Sequence, residues 1–308
     1  MALDRWIVYQ RERFPLASHV PLVAAFSASA VCFSSLVRGH AAIPSPAALA
    51  GAFLTSLLFF LQLRIADEFK DFEEDARHRP YRPVPRGLVT VRELGWLGTA
   101  AAVVQLGVAL LLDASLVWLL LLTWAYLALM TKEFFAARWL KAHPIAYMMS
   151  HMLILPLVDL YATACDWRVA GLARPPSGLA WFLAVSFLNG VVVEIGRKTR
   201  AAADEEHGVE TYSALWGRHG AVGGWLFAVM LTAIAACQAS IRIGATAPTV
   251  AVLMVLATSC VLVARRFIRS SRPGSGRWLE TMAGVWTVVM YVALGAAPLA
   301  ITVWRGAR

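Results

Sequence analysis

Apolar residues run along this chain in long, nearly unbroken stretches separated by short polar segments. A membrane-crossing helix needs about 20 consecutive apolar residues. By that measure the pattern predicts about nine spans, near 20–37, 46–66, 93–112, 115–134, 143–164, 178–195, 219–239, 246–264 and 281–303. Membrane helices tolerate Gly and Pro; Pro156 falls inside the fifth stretch and predicts a kink there. No soluble domain or low-complexity tract interrupts the series. The fold class that follows is all-α: a polytopic membrane protein organised as a single domain over residues 1–308. Residues 1–16, carrying Asp4, Arg5, Arg11, Glu12 and Arg13, are too charged for the apolar core of a signal peptide. They read as an amphipathic surface segment ahead of the first span.

Composition agrees with the pattern. Hydrophobic residues make up 59% of the 308 and mean hydropathy is +0.63, against roughly 45–50% apolar for a soluble domain. The net charge of +9 could suggest nucleic acid as a partner, but its distribution argues against that. Of the 28 Lys and Arg, only Arg38, Arg168, Arg174, Arg242, Arg305 and Arg308 fall on one side of the predicted topology. The remainder sit at the N-terminus and in the loops after the second, fourth, sixth and eighth spans. Positive charge accumulates on cytoplasmic loops, so the N-terminus and these loops are expected in the cytoplasm. The four cysteines lie in or beside apolar segments without CxxC spacing, which points to neither a zinc site nor a disulfide framework.

Two polar loops carry candidate chemistry. After the second span come Asp67, Glu68, Asp71 and Asp75. The three Asp are spaced four apart and drift only ~40° per step at ~100° per residue, so they share a helical face, which Glu68 joins. Convergent carboxylates repel one another unless cations lie between them, and magnesium, which combines a few carboxylates with water and phosphate oxygens, suits the arrangement. The alternative is a solvated helix end. The loop continues through Arg77, Arg79, Arg82 and Arg86, with Pro80, Pro83, Pro85 and Gly87 making it stiff. Arginine pairs bidentately with phosphate oxygens, so acids and arginines together suit a metal-bridged diphosphate.

After the sixth span come Glu194, Arg197 and Lys198, on one helical face, then Asp204, Glu205, Glu206, His207 and Gly208-Val209-Glu210-Thr211. Glu194 could be a second metal-binding carboxylate beside bases that grip a diphosphate; equally, the three could form an internally neutralised helix terminus. Asn189 lies nearly a turn and a half before Glu194. His143, Tyr147 and His151 share a face of the fifth span, where polar side chains turn inward or toward a cavity, and they are candidates for lining an acceptor pocket.

The run Asp67 to Asp75 resembles the N-D-x-x-D-x-x-x-D motif of the UbiA superfamily of intramembrane prenyltransferases, and Arg79-Pro80-Tyr81-Arg82-Pro83-Val84-Pro85-Arg86-Gly87 resembles its N-R-P-x-R-P-x-P-x-G run. Nine spans with acidic motifs after the second and sixth fit the same family, so the resemblance covers nearly the whole chain. It departs in Asp67 for Asn and Glu68 for Asp, both oxygen donors, and in a divergent second motif in which Gly208 and Thr211 fit the tail and Asp204 the second Asp. The resemblance implies helices around a central cavity with a cytoplasmic-side polar cap, and magnesium held by Asp67, Glu68, Asp71, Asp75, Glu194 and Asp204. It further implies diphosphate contacts from Arg79, Arg82, Arg197 and Lys198. Tyr126 and Lys132, at the end of the fourth span, match positions where the family has a Tyr and a base: Lys132 then joins the diphosphate contacts. Tyr126 is grouped with Asn189, His143, Tyr147 and His151 around the acceptor.

The function implied is magnesium-dependent transfer of a prenyl group from an isoprenoid diphosphate to a lipophilic or aromatic acceptor. The alternative on the same machinery is a UbiA-type terpene cyclase acting on the diphosphate alone. A transporter is disfavoured, because the charges cluster at helix ends rather than at mid-membrane. The lipid bilayer is the expected surroundings; neither nucleic acid nor an obligate protein partner is indicated. Single-cysteine accessibility labelling checks the topology: probes in 64–92 should react from the cytoplasmic side and probes near the C-terminus from the opposite side.

Overall fold

The apolar stretches fold as helices throughout. The structure, a computed structural model, describes residues 2–40, 42–206, 208–270 and 272–306; His207 of the second acidic segment and Arg308 of the charge count lie outside the described residues. Among the described residues there are no strands, and fourteen α-helices follow in order: α1 (Ala2–Arg13), α2 (Leu16–Val37), α3 (Pro46–Lys70), α4 (Phe72–His78), α5 (Val91–Leu112), α6 (Leu116–Thr131), α7 (Ala137–Ala142), α8 (Pro144–Met152), α9 (Ile154–Trp167), α10 (Leu179–Arg197), α11 (Tyr212–Arg242), α12 (Thr246–Arg269), α13 (Arg277–Leu294) and α14 (Ala296–Gly306). Eight segments are long and apolar enough to cross a membrane: α2, α3, α5, α8 with α9, α10, α11, α12, and α13 with α14. The remaining predicted span, α6, is equally apolar but has 16 residues. At about 1.5 Å per residue it is shorter than the ~30 Å hydrocarbon core.

Local chemistry sets the breaks. Pro156 has no N–H to offer the Met152 carbonyl, and α8 ends at Met152 with α9 resuming at Ile154. Gly217 adopts φ 68° inside α11, a conformation open to glycine, and bends the helix one turn after its start. The Ser45 side chain caps α3, accepting from the Ala48 N–H at 3.1 Å, with Pro46 in the first turn. Thr90 and Glu93 form a reciprocal capping box at the start of α5.

The chain divides into two compact units. The first comprises the N-terminal residues through Val31, Pro44–Tyr147 and Leu157–Ala173. There α3 packs against α5 and α6. Buried amides tie these helices together: Gln105 Nε2 donates to the Thr55 carbonyl at 3.1 Å, and Trp124 Nε1 donates to Gln105 Oε1 at 2.9 Å. Such bonds matter where hydrocarbon offers the amide nothing else. α1 is anchored rather than free: Tyr9 is buried with Ile65, Val84, Val89 and Leu94, and Trp6 packs on the same cluster. Asp159 in α9 is wholly buried.

The second unit comprises Cys32–Ile43, Met148–Pro156 and Arg174 onward. α10 lies against α11 and α13, and α12 against α11 and α13. Trp225 Nε1 donates to the Val192 carbonyl at 3.1 Å, and the Tyr291 hydroxyl bonds Ser186 Oγ at 3.1 Å. Small residues allow close approach. A Cβ on Gly196 would lie 2.9 Å from Ala283 Cβ, and one on Gly276 only 2.5 Å from the Thr199 carbonyl oxygen.

Two substitutions test this packing. Gly276→Ala forces a backbone to move and should destabilise the protein by about 1–3 kcal/mol. Gly284→Ala in α13, where a Cβ meets nothing within 4 Å, should be neutral or stabilising by up to about 1 kcal/mol. Thermal unfolding in detergent reads both.

Candidate functional site

The first acidic cluster is built at the end of α3. The helix stops at Lys70, Asp71 caps it with φ −93° and ψ 8°, and α4 begins one residue later. The hydrogen-bond ladder nevertheless continues. The Asp71 N–H donates to the Asp67 carbonyl at 2.9 Å, the Asp75 N–H to the Asp71 carbonyl at 2.8 Å, and the Arg79 N–H to the Asp75 carbonyl at 2.8 Å. Asp67, Asp71 and Asp75 therefore follow one another at successive turns across the break.

Each acid is met by a base. Asp75, 3% exposed, is bracketed by Arg79 at 3.2 Å and Arg82 at 2.5 Å. The Pro-rich run 80–85 holds Arg82 in place for this by turning the chain back after α4. Glu68, 2% exposed, accepts from Arg13 Nε of α1. Asp67 faces Arg64 at 3.6 Å, and Lys70 lies 3.9 Å from Asp71. Glu74 pairs with Lys141 at 2.5 Å near the surface, and that hydrogen bond holds its carboxyl below the ordinary value. Asp71 differs. Burial raises its carboxyl above the ordinary value; Lys70 opposes this, while Asp67, Asp75 and Glu74 add to it. Neighbouring carboxylates thus add to the effect of burial at Asp71, where an added cation would offset both.

Tyr147 belongs to this neighbourhood: Lys70 Nζ donates to its hydroxyl at 2.6 Å. His143, four residues earlier, is exposed, with Nδ1 at 2.8 Å from the Trp139 carbonyl and its ring stacked on that indole. His151 is buried in the second unit, so the three residues on the predicted face have three different surroundings. Tyr126 packs edge-on against Phe134, and Lys132 is exposed at the end of α6. Between them and α7, Glu133, Phe134 and Phe135 all take positive φ, of 47°, 53° and 57°. Three successive non-glycine residues in the left-handed region carry backbone strain of about 1–2 kcal/mol each. The turn buries the Glu133 carboxylate within electrostatic reach of Tyr147.

In the second unit, Glu194 ends α10 nearly buried and receives two cations, Arg197 Nη2 at 2.7 Å and Lys198 Nζ at 2.9 Å. Asp204 lies in a short 3-10 turn and accepts the Gly274 N–H at 2.6 Å. Glu205 accepts from Thr211 at 2.6 Å and from Ser213 at 2.7 Å, while Thr211 caps α11. Asn189 is buried in α10, and neither its amide oxygen nor its nitrogen is hydrogen-bonded among the described residues. A buried amide in that state leaves room for a ligand group or water.

Two participants escaped the sequence reading. Arg13 is 55 residues from Glu68 and Lys70 is 77 from Tyr147, and no spacing rule reaches that far. Among the described residues, no three His, Cys, Asp or Glu side chains are gathered as a metal cage, because the acids turn toward their basic partners. Their chemistry nonetheless fits magnesium: hard carboxylate oxygens at successive turns, with Asp71 half-buried among other carboxylates.

A profile of the UbiA prenyltransferase family matches residues 27–283. Among solved structures, a UbiA homologue from Aeropyrum pernix is similar over 92% of this chain and 97% of its own, with TM-score 0.67 and 17% identity. A digeranylgeranylglyceryl phosphate synthase is similar over 94% and 99%, with TM-score 0.60 and 12% identity. A UbiA homologue from Archaeoglobus fulgidus, bound to DMAPP and Mg2+, is similar over 95% and 99%, with TM-score 0.58 and 13% identity. At these identities the likeness is one of fold. No curated protein matches the chain.

The Arg13–Glu68 pair supports a stability test. Glu68→Leu leaves a guanidinium that is 11% exposed without its counter-charge, and should cost about 3 kcal/mol. The double variant Arg13→Leu/Glu68→Leu should recover most of that loss. A double variant no more stable than the sum of the single changes would remove the pairing.

Proposed function

Because this chain belongs to the UbiA prenyltransferase family, we propose that it is a magnesium-dependent intramembrane prenyltransferase, which ionises an isoprenoid diphosphate and passes the prenyl group to a lipophilic or aromatic acceptor. The observation that carries this reading is the end of α3: a half-buried carboxylate under repulsion, Asp71, one turn before a buried carboxylate, Asp75, clasped by two arginines. A fold neighbour bound to DMAPP and Mg2+, and another that is a digeranylgeranylglyceryl phosphate synthase, support it.

In this reading Arg79 and Arg82 exchange partners. They leave Asp75 for the oxygens of the incoming diphosphate, where their planar donors fit as well as they do on a carboxylate. Asp75, freed by the same event, would hold magnesium together with Asp67, Glu68 and Asp71. In the second unit Arg197 and Lys198 are assigned to diphosphate oxygens upon leaving Glu194, which with Asp204 would supply carboxylates for magnesium; in the first unit Lys132 is assigned to the diphosphate as a further cation. Magnesium, when bound, neutralises the charge of the leaving diphosphate. The allylic carbon–oxygen bond then breaks with its electron pair on the diphosphate; the acceptor's electron pair forms the new bond and the acceptor gives up a proton. Asn189, Tyr126, Tyr147, His143 and His151 are assigned to the acceptor side, Asn189 through a buried amide with donor and acceptor to spare. Apolar walls exclude the water that would capture the cation.

Partner exchange makes metal and diphosphate binding mutually dependent, since neither set of ligands is free until the other substrate arrives. Purified protein should release diphosphate from C10 to C20 prenyl diphosphates only with magnesium, and Asp71→Ala should abolish release while the protein stays folded in detergent. Arg82→Ala should lower turnover about a hundredfold, more than it weakens ground-state binding. Full turnover in excess chelator, or by Asp71→Ala, would sink the proposal. A cyclic terpene formed without acceptor would assign the chain to cyclisation instead.

A further inference from the structure

Neither acidic motif uses the groove at the C-terminal end of α12. Leu262, Arg265, Arg266, Arg269 and Arg272 line it together with Trp278 of α13, and it encloses about 490 Å³. Positions 262, 265, 266 and 269 are spaced i, i+3, i+4 and i+7, so one apolar and three basic side chains share one helical face. Arg272 adds a fourth guanidinium from the following loop.

The ordinary uses of arginine at such a place do not account for these four. None forms an ion pair with a carboxylate among the described residues, and all four are exposed. The carbonyls at the end of α12 are already served by Arg218, whose Nη2 donates to Phe267 and Ser270 while its guanidinium covers the Phe267 ring at 4.7 Å. Orienting charge needs no groove, yet here the charge lines one. Arg266 is further held over the Trp278 ring, its Cζ 4.2 Å from the centroid, a cation–π contact that uses none of its N–H donors on an acceptor oxygen. Uncompensated positive charge of this kind calls for an anion with several acceptor oxygens.

The surroundings say which anion. Ala251, Val255 and Leu262 are exposed along one side of α12 that leads into the groove, and Thr258 and Ser259 between them turn their hydroxyls back to the Met254 and Val255 carbonyls at 2.8 and 2.9 Å, so neither presents an unpaired donor to hydrocarbon; α12 also has the most apolar window of the eight spanning segments, with mean hydropathy 2.2. A tryptophan beside basic side chains at a helix end marks the headgroup level of a bilayer. A free phosphate has no use for an apolar track; a lipid does. We propose that this groove binds the phosphate headgroup of an anionic phospholipid, with an acyl chain lying along Leu262 and Val255. Basic pockets between membrane helices recognise anionic lipids through the same combination of charge and adjoining hydrocarbon.

The full chain, delipidated in neutral detergent, is titrated with dioleoylphosphatidylglycerol, dioleoylphosphatidylcholine and inorganic phosphate, and bound lipid is counted by native mass spectrometry. Phosphatidylglycerol should bind at least about tenfold more tightly than phosphatidylcholine. Arg266→Gln and Arg269→Gln should each weaken phosphatidylglycerol about fivefold, leaving phosphatidylcholine unchanged. In the unaltered protein the preference should collapse in about 0.5 M salt, a measurement that stands even if a variant fails to fold. Equal affinity for the two lipids, a preference that survives salt, or undiminished binding by both variants overturns the proposal. Complete displacement of the lipid by inorganic phosphate also overturns it, and makes the groove a free-anion site.

Discussion

Hydrocarbon offers a peptide group no hydrogen-bonding partner, and most of this protein's form follows from that constraint. Each long apolar stretch must satisfy its own backbone, so each becomes a helix. Inside the membrane-spanning segments polar side chains are answered by another helix, as Gln105 answers both Thr55 and Trp124, or by their own, as Thr232 bonds the Ala228 carbonyl, while the buried Asn189 amide is not hydrogen-bonded among the described residues. Charge is driven to the helix ends. The ends of α3, α10 and α12 therefore gather charged side chains, and the membrane-spanning stretches between them are apolar.

At those ends a second requirement takes over: a carboxylate taken out of water must have a counter-charge. Glu68 has Arg13, Asp75 has Arg79 and Arg82, and Glu194 has Arg197 and Lys198. These pairs are both structural and chemical. Under the proposed function they let acids and bases wait close together, and each base is transferred to a phosphate oxygen at little electrostatic cost, since one anion replaces another. Asp71 lacks so complete an arrangement: burial raises its carboxyl, Lys70 opposes the rise, and Asp67, Asp75 and Glu74 add to it. The α12 groove is the mirror case, in which bases line a cleft and no carboxylate is paired with them among the described residues.

Glycine and proline decide how closely these ends can be set. Gly196 and Gly276 let backbone approach backbone in the second unit, where a methyl group would collide. Pro156 breaks α8 from α9. The left-handed turn Glu133–Phe135 is the counter-example: a strained connection made from residues that do not favour it, between α6 and α7 and close to Tyr147.

The sequence by itself determined the elements. Apolar run length located the helices, including the interruption near Pro156, because satisfying the backbone in hydrocarbon is a local matter. The four-residue spacing of Asp67, Asp71 and Asp75 placed them at successive turns, and the spacing of Glu194, Arg197 and Lys198 let them meet, because helical geometry is local too. Only the tertiary structure decided the partners that lie far apart along the chain. It brought Arg13 of α1 to Glu68, Lys70 to Tyr147 and the Gly274 N–H to Asp204. It also buried Asp159 and left His143 exposed. No periodicity encodes such contacts, since they depend on which faces of separate helices pack together, and that is settled by the shapes of many side chains at once.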